Sequence, residues 1–315
     1  MSVIAVVPDH LVACTTIGIV TALPREAAAV RAVIGNAQPG IVAGDPNYYI
    51  TAELPSADPT QPHHIVVTIL TRDGTADASA ACANLLRSFP AIRHVIMCGV
   101  AGGIPDPDHP DRHVRLGDIV VATDIIDYDH VRHSSGNHIL RRHLHPADAQ
   151  LWRAARELQI KEYRGVETWE PLLRSYAGSP GLDARPPDDA DVLHHEGKAV
   201  PHPSGAATGH RPGLPKVHHG SIGSANRLVC DAAHRDLLAA RHGILAIEME
   251  SSGIATSTDL HGRHWFAVRG IVDYCDHAKN EAWHPYASLA AAVYLRSLVA
   301  QCHPAADRLA LAERV

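Results

Sequence analysis

Hydrophobic positions along the chain gather into short, nearly continuous runs separated by longer amphipathic stretches. TTIGIVTAL (15–23) is the first such run. PREAAAVRAVIG follows it with Ala, Val and Ile at helical spacing, Pro24 at the start and Gly35 just beyond the end. HHIVVTIL (63–70) predicts a second strand, which passes through RDGT into the helical pattern ADASAACANLLRSF. IRHVIMCGVAGGI (92–104) predicts a buried strand ending in a glycine-rich turn, and LGDIVVATDIIDYD (116–129) supplies another. Later come VHHGSIGSANRLVCD, a polar helix, the strand-like GILAIEMES, the strand HWFAVRGIVDY and a closing helix, ASLAAAVYLRSLVAQ. Strands apolar on both faces, alternating with helices, predict an α/β sheet covered on each side. Such sheets place ligands at the carboxyl ends of their strands.

The stretch from about 130 to 216 breaks this rhythm. It holds HSSGNHILRRHLH, a helical segment LWRAARELQIKEY, and a run rich in Pro, Gly, Asp and His that has no apolar period. That last run predicts a long surface excursion. With no internal repeat, the chain is predicted to be one domain, 1–315, carrying a His/Pro/Gly-rich insertion at about 130–216.

Composition narrows the classes. Of 315 residues 46% are hydrophobic and 20% charged, which suits a soluble globular chain and not a disordered one. The net charge of −6 and an aromatic content of 4% argue against nucleic acid as a partner. The six cysteines form no CxxC pair, so a reduced, cytoplasmic setting is expected. The apolar N-terminus lacks a basic flank and is interrupted by Asp9 and His10, so neither leader nor membrane span is expected.

Three features could carry chemistry. In IEMES, two acids interrupt an apolar strand; alternation puts Glu248 and Glu250 on one side and Met249 on the other. These carboxylates are either a solvated strand end or acceptors for two neighbouring hydroxyls, as on a ribose. In VRGIVDYCD, Asp273 is either a helix N-cap or a general acid, since a carboxyl against apolar walls keeps its proton to higher pH. In GVAGGI, the glycines suit a tight turn or a close approach of backbone to ligand. The pattern is not GxGxxG, which weakens a dinucleotide reading.

The order of these features resembles the nucleoside phosphorylase and nucleosidase superfamily. Within it, the similarity is to the branch found alone or at the head of larger NLR-type signalling proteins in fungi and bacteria. IGIVTALPREAAA, NLLRSFPAIRHVIMCGVAGGIP, RLGDIVVATD, VHHGSIGSANRLVCD, IEMESSGIA and VRGIVDYCDHAKNEAWHPYASLAAAVY carry it. The resemblance implies a three-layer α/β/α phosphorylase/hydrolase-like fold with a mixed, barrel-like central sheet. It implies that Asp273 bonds or protonates purine N7, that Glu250 binds the ribose hydroxyls, and that Met249 packs beneath the sugar. Glu26 stands where hydrolytic members keep a water-orienting carboxylate. Val100, Ala101, Gly102 and Gly103 would line the site, and Asn226 to Leu228 would close over the base. Glu248 and Arg269 complete the substrate-binding candidates.

Breaking an N-glycosidic bond puts positive charge on the sugar and negative charge on the base. An acid on one side and a water-activating carboxylate on the other answer both. Phosphorylases of the superfamily carry an Arg on the strand leading into the glycines; here that strand is Val95 to Cys98, without a cation. Arg25 and Arg72 stay open as phosphate ligands, but Glu26 would repel phosphate, so hydrolysis is expected and phosphorolysis is the alternative. No cofactor is expected beyond phosphate in that second case. Two departures from methylthioadenosine nucleosidases put that substrate in doubt. Val272 replaces a Ser beside the acid, and Leu228 replaces an aromatic ring. Arg227 and His219 meet either a 5′-phosphate or solvent. The histidines around Arg142, His143 and His145, and the pairs His194–His195 and His218–His219, lack HExxH spacing and are expected to be solvated, with no metal. The expected ligand is a purine nucleoside or nucleotide. The expected assembly is a homo-oligomer, a dimer or trimer, with a signalling partner on another chain as a further reading.

Overall fold

The computed structural model describes residues 5–134, 137–141, 144–195, 197–279 and 281–304, with the side chains of His133, Ser134, Asn137, His138, Leu144 and His195 outside that description. From the amino end come β1 (Ala5–Val6), α1 (Asp9–Cys14), β2 (Ile17–Thr21), α2 (Pro24–Ile34), β3 (Gln38–Ile41), β4 (Tyr48–Leu54), β5 (His63–Ile69), α3 (Thr75–Ser88) and β6 (His94–Gly103). Next are β7 (Ile119–Asp127), β8 (Val131–Ser134), β9 (Asn137–Leu140), β10 (Leu144–Pro146), α4 (Ala149–Tyr163), α5 (Glu170–Tyr176), β11 (Leu193–His195) and β12 (Lys198–Val200). The chain closes with β13 (Val217–Ser224), α6 (Ala232–His242), β14 (Ile244–Glu248), α7 (Ser251–Leu260), β15 (His264–Asp273) and α8 (His284–Val299).

The main sheet runs β1-β3-β4-β5-β2-β6-β14-β13-β7-β10. β15 lies parallel to β6 and antiparallel to β7, so β6, β14, β13, β7 and β15 close into a ring. This is the mixed, barrel-like sheet that the resemblance implies. β2 and all of β15 except its first residue are buried, as strands covered on both faces must be. α2 and α8 pack on each other outside the barrel, α3 packs on α7, and α8 is apolar around most of its circumference.

Three local expectations need correction. The glycines of GVAGGI are not a turn: β6 continues through Gly103, and Gly102 and Gly103 pair with Ile247 and Ala246 of β14. GILAIEMES is strand only to Glu248; Ser251 already begins α7. The Pro/Gly/Asp/His-rich run of the insertion is more than a surface excursion, because its Leu193 joins the main core and its Asp191 and Thr208 are buried. Among the described residues no helix is long and apolar enough to cross a membrane.

Candidate active site

The carboxyl ends of β2, β6, β14 and β15 meet over one cleft. Where β2 stops, Pro24 starts α2 and places Glu26 in its first turn. Glu26 is 2% exposed. Its Oε2 accepts the N–H groups of Ala22 (2.7 Å) and Leu23 (2.9 Å), and its Oε1 accepts that of Val100 (2.8 Å). A Cβ at Gly99 would fall 2.4 Å from Glu26 Oε1, so glycine there is what lets the carboxylate reach β6.

Beneath the cleft, Arg269 of β15 is fully buried. Its Nη2 bonds Glu248, Glu250 (3.3 Å) and the Ser251 hydroxyl (3.1 Å). The turn into α7, and not strand alternation, brings the two acids together: Glu248 accepts the Ser251 N–H at 2.9 Å, and Glu250 accepts that of Gly74 at 3.2 Å. Burial holds the Glu26 carboxyl above its ordinary range; Arg269 and three backbone donors oppose this without overturning it. Burial likewise pushes Glu250 up to about 7; Arg269 pulls it down while Glu248 and Glu26 add to the rise. For Arg269, desolvation disfavours the cation, but the surrounding carboxylates prevail and raise its pKa.

Asp273 ends β15 and is 8% exposed. It does not cap a helix. Oδ1 accepts the Cys275 N–H at 2.7 Å, and Oδ2 lies 3.3 Å from Lys279 Nζ. Cys275 sits at φ +53°, a left-handed conformation uncommon outside glycine. A Cβ at Gly102 would fall 2.2 Å from its sulfur and 2.8 Å from Asp273 Oδ1, so this glycine is needed for close approach.

The cleft encloses about 150 Å³. Glu26, Val100, Ala101, Gly102, Leu228, Glu248, Met249, Glu250 and Asp273 all line it. Three expected residues do not. Arg269 lies under the floor, Gly103 faces Ile271 and Val114, and Asn226 stands against Gly74. Leu228 is 70% exposed at the cleft edge. Lys279, His284, Asp73 and Cys275 also line the cleft and were not predicted; VRGIVDYCDHAKNEAWH contains three of them, but no periodicity aims them inward.

Arg227 borders the cleft and pairs with Asp129 (2.8 Å). Arg25 pairs with Glu281 and Arg72 with Asp77, both on the surface and outside the cleft lining. His219 is not near the cleft; it is half-buried in a separate groove, edge-on to Trp152. His218 is not solvated either, being buried in β13 and bonded to Asp118. Arg142, His143 and the His195 side chain lie outside the described residues. A larger groove of about 940 Å³ sits at the amino ends of β5, β6 and β15, away from the carboxyl-end position expected for chemistry.

A closed mixed barrel flanked by helices, with an acid-lined cleft at the strand ends, defines the class. The sequence profile of the Phosphorylase superfamily matches residues 16–300, and the chain belongs to that family. It is 27% identical over 308 residues to a nucleotide-binding leucine-rich repeat (NLR)-like protein of Hyaloscypha variabilis, covering 92% of this chain and 30% of that protein. It is 25% identical over 279 residues to the ATP nucleosidase Cap17 of Escherichia coli, covering 87% of this chain and 49% of that one. The chain thus spans half or less of these relatives. Its fold is similar to the 5′-methylthioadenosine/S-adenosylhomocysteine nucleosidase of Helicobacter pylori (TM-score 0.63, 16% identity, 91% of this chain and 98% of that one). It is equally similar to the futalosine hydrolase of that organism (TM-score 0.63, 17% identity, 91% and 97%).

Proposed function

We propose that the protein hydrolyses the N-glycosidic bond of a purine nucleoside or nucleotide to free base and ribose or ribose phosphate. The observation that carries this reading is the charge of the cleft. Glu26, Glu248 and Glu250 surround a single guanidinium. Once ionised they leave net negative charge where a nucleophile would enter, which repels phosphate and admits water. The same charge stabilises the cationic sugar of a dissociating glycosidic bond.

Asp273 donates its proton to purine N7, so the base departs neutral. To do so it must give up its ion pair with Lys279, and the incoming base competes for that position. Glu250 accepts both ribose hydroxyls, and Met249 packs under the sugar. Glu26, fixed by three backbone N–H groups, orients the water on the opposite face and accepts the proton that water loses as its oxygen bonds the sugar C1′; exchange with solvent then releases that proton and reprotonates Asp273. Val100 to Gly102 wall the sugar, and Arg269 supports Glu248 and Glu250 from below. Water is the only co-reactant.

The similarity to an ATP nucleosidase and to an NLR-like protein supports a second element of the proposal, that a nucleotide is accepted and that the domain works in a cytoplasmic defence system, as a homo-oligomer or with a signalling chain. The test is a panel of purine nucleosides and 5′-nucleotides, with and without phosphate, resolved by chromatography. Free base and ribose without phosphate are expected. A strict phosphate requirement with ribose 1-phosphate as product would reassign the protein as a phosphorylase. Asp273→Asn should lower turnover about 10²–10⁴-fold; near-normal turnover would remove the proposed acid.

A further inference from the structure

Away from the cleft, Asp118, His210 and His218 converge from three parts of the chain. Asp118 precedes β7, His218 lies on β13, and His210 belongs to the insertion; His210 and His218 stand 92 and 100 positions from Asp118. Asp118 Oδ2 is 2.8 Å from His210 Nε2 and 2.9 Å from His218 Nε2. The three atoms lie within 4.8 Å of one another. The side chains of Asp118 and His218 are each 3% exposed, and that of His210 is 12% exposed.

The hydrogen-bond count around this carboxylate is uneven. Oδ1 accepts one N–H, from Lys216. Oδ2 accepts the Arg115 N–H at 2.8 Å and faces both imidazoles as well. Three donors then crowd an oxygen that offers two lone-pair directions. A cation among the three ligand atoms resolves the crowding, because each imidazole would then bind through an unprotonated Nε2. Tetrahedral bonds of about 2.0–2.2 Å space ligand atoms by about 3.3–3.6 Å, so each imidazole, now 2.8 or 2.9 Å from Oδ2, draws back by about 0.5 Å to admit the cation. Two imidazoles and one carboxylate are a donor set for first-row divalent metals, and less suited to calcium or magnesium.

We propose that Asp118, His210 and His218 form a structural site for a divalent transition metal of the zinc type, which fastens the insertion to the barrel. The site also braces the cleft from outside. The Asp118 carbonyl accepts the Ile271 N–H at 2.8 Å, two residues before Asp273. Arg115 bonds Asp191, which accepts the hydroxyl of Tyr274, the residue after Asp273. This inference does not depend on which reaction the cleft performs.

The test uses the full chain purified without a metal-affinity tag, stripped with chelator and titrated with Zn²⁺. Elemental analysis gives stoichiometry, and Co²⁺ substitution gives a visible spectrum reporting nitrogen and oxygen ligands. One equivalent per chain and a Tm rise of about 5 °C are expected. His210→Ala should weaken binding at least tenfold and abolish the Co²⁺ spectrum. His109→Ala, at an exposed histidine pair partner of Asp106, should leave both unchanged. Because the chain has 24 histidines, the difference between variants is decisive. Absence of stoichiometric binding in the wild type, or equal binding by His210→Ala, would overturn the proposal.

Discussion

Glu250 stands where burial and charge oppose each other most openly. Its carboxyl touches Arg269, yet desolvation and two neighbouring acids hold its pKa near 7. The folded protein therefore keeps this proton where the unfolded chain, near 4.5, would release it. Ionisation lowers stability progressively as pH climbs from about 4.5 through 7. Glu250→Gln should accordingly melt with the wild type near pH 5 and several degrees above it at pH 8. A wild type that melts higher at pH 8 would mean that the pair with Arg269 outweighs burial. The proposed role in ribose binding needs the opposite protonation state, since the ionised carboxylate is the better acceptor for two hydroxyls. The kcat/KM of the wild type should rise through pH 7, a limb that Glu250→Gln should flatten while also raising KM. Glu26 shares the upward displacement through burial. Glu26→Gln loses the base and should cost about 10²–10⁴-fold in turnover; its amide NH2 must also face a backbone donor, either Val100 or the Ala22–Leu23 pair, which should lower Tm by several degrees.

Helices and strands were legible where their apolar pattern has one face or none. β2, α2, β5, α3, β15 and α8 all fall where the hydrophobic runs predict them. α7 was not foreseen, for a physical reason: Ser251, Ser252, Gly253, Ile254, Ala255, Ser257 and Thr258 are all buried, so SSGIATSTDL shows no polar face from which to read a period. β6 was cut short because glycines are ordinary turn residues, whereas here they let side chains from β15 and α2 crowd against the strand. The α3–α7 contact gives a test at this scale. A Cβ at Gly253 would lie 2.1 Å from the Thr75 carbonyl oxygen. Gly253→Ala must push the helices apart and should destabilise by about 1–3 kcal/mol in urea melts. It should also raise KM, because Gly74, the Glu250 hydrogen-bond donor, immediately precedes α3.

Across the whole molecule, Glu26, Glu248, Glu250 and Asp273 of the cleft were accessible from the sequence because motif order carries them, and motif order survives without coordinates. The position of Arg269 beneath the floor instead of in the lining, Lys279 beside Asp273 and the Asp118–His210–His218 cluster were not, since each depends on which distant segments the barrel brings together. That dependence has a temporal side. Among the described residues β15 is the last strand, yet it closes the ring between β6 and β7 and carries both Asp273 and Arg269. During synthesis, everything up to Leu260 can leave the ribosome while the cleft still lacks its acid and its buried cation. The proposed turnover therefore waits on β15, and a chain stopped before His264 should show neither turnover nor a cooperative melt. Under the proposed hydrolysis, a nascent chain is unable to act on nucleosides until β15 has taken its place between β6 and β7.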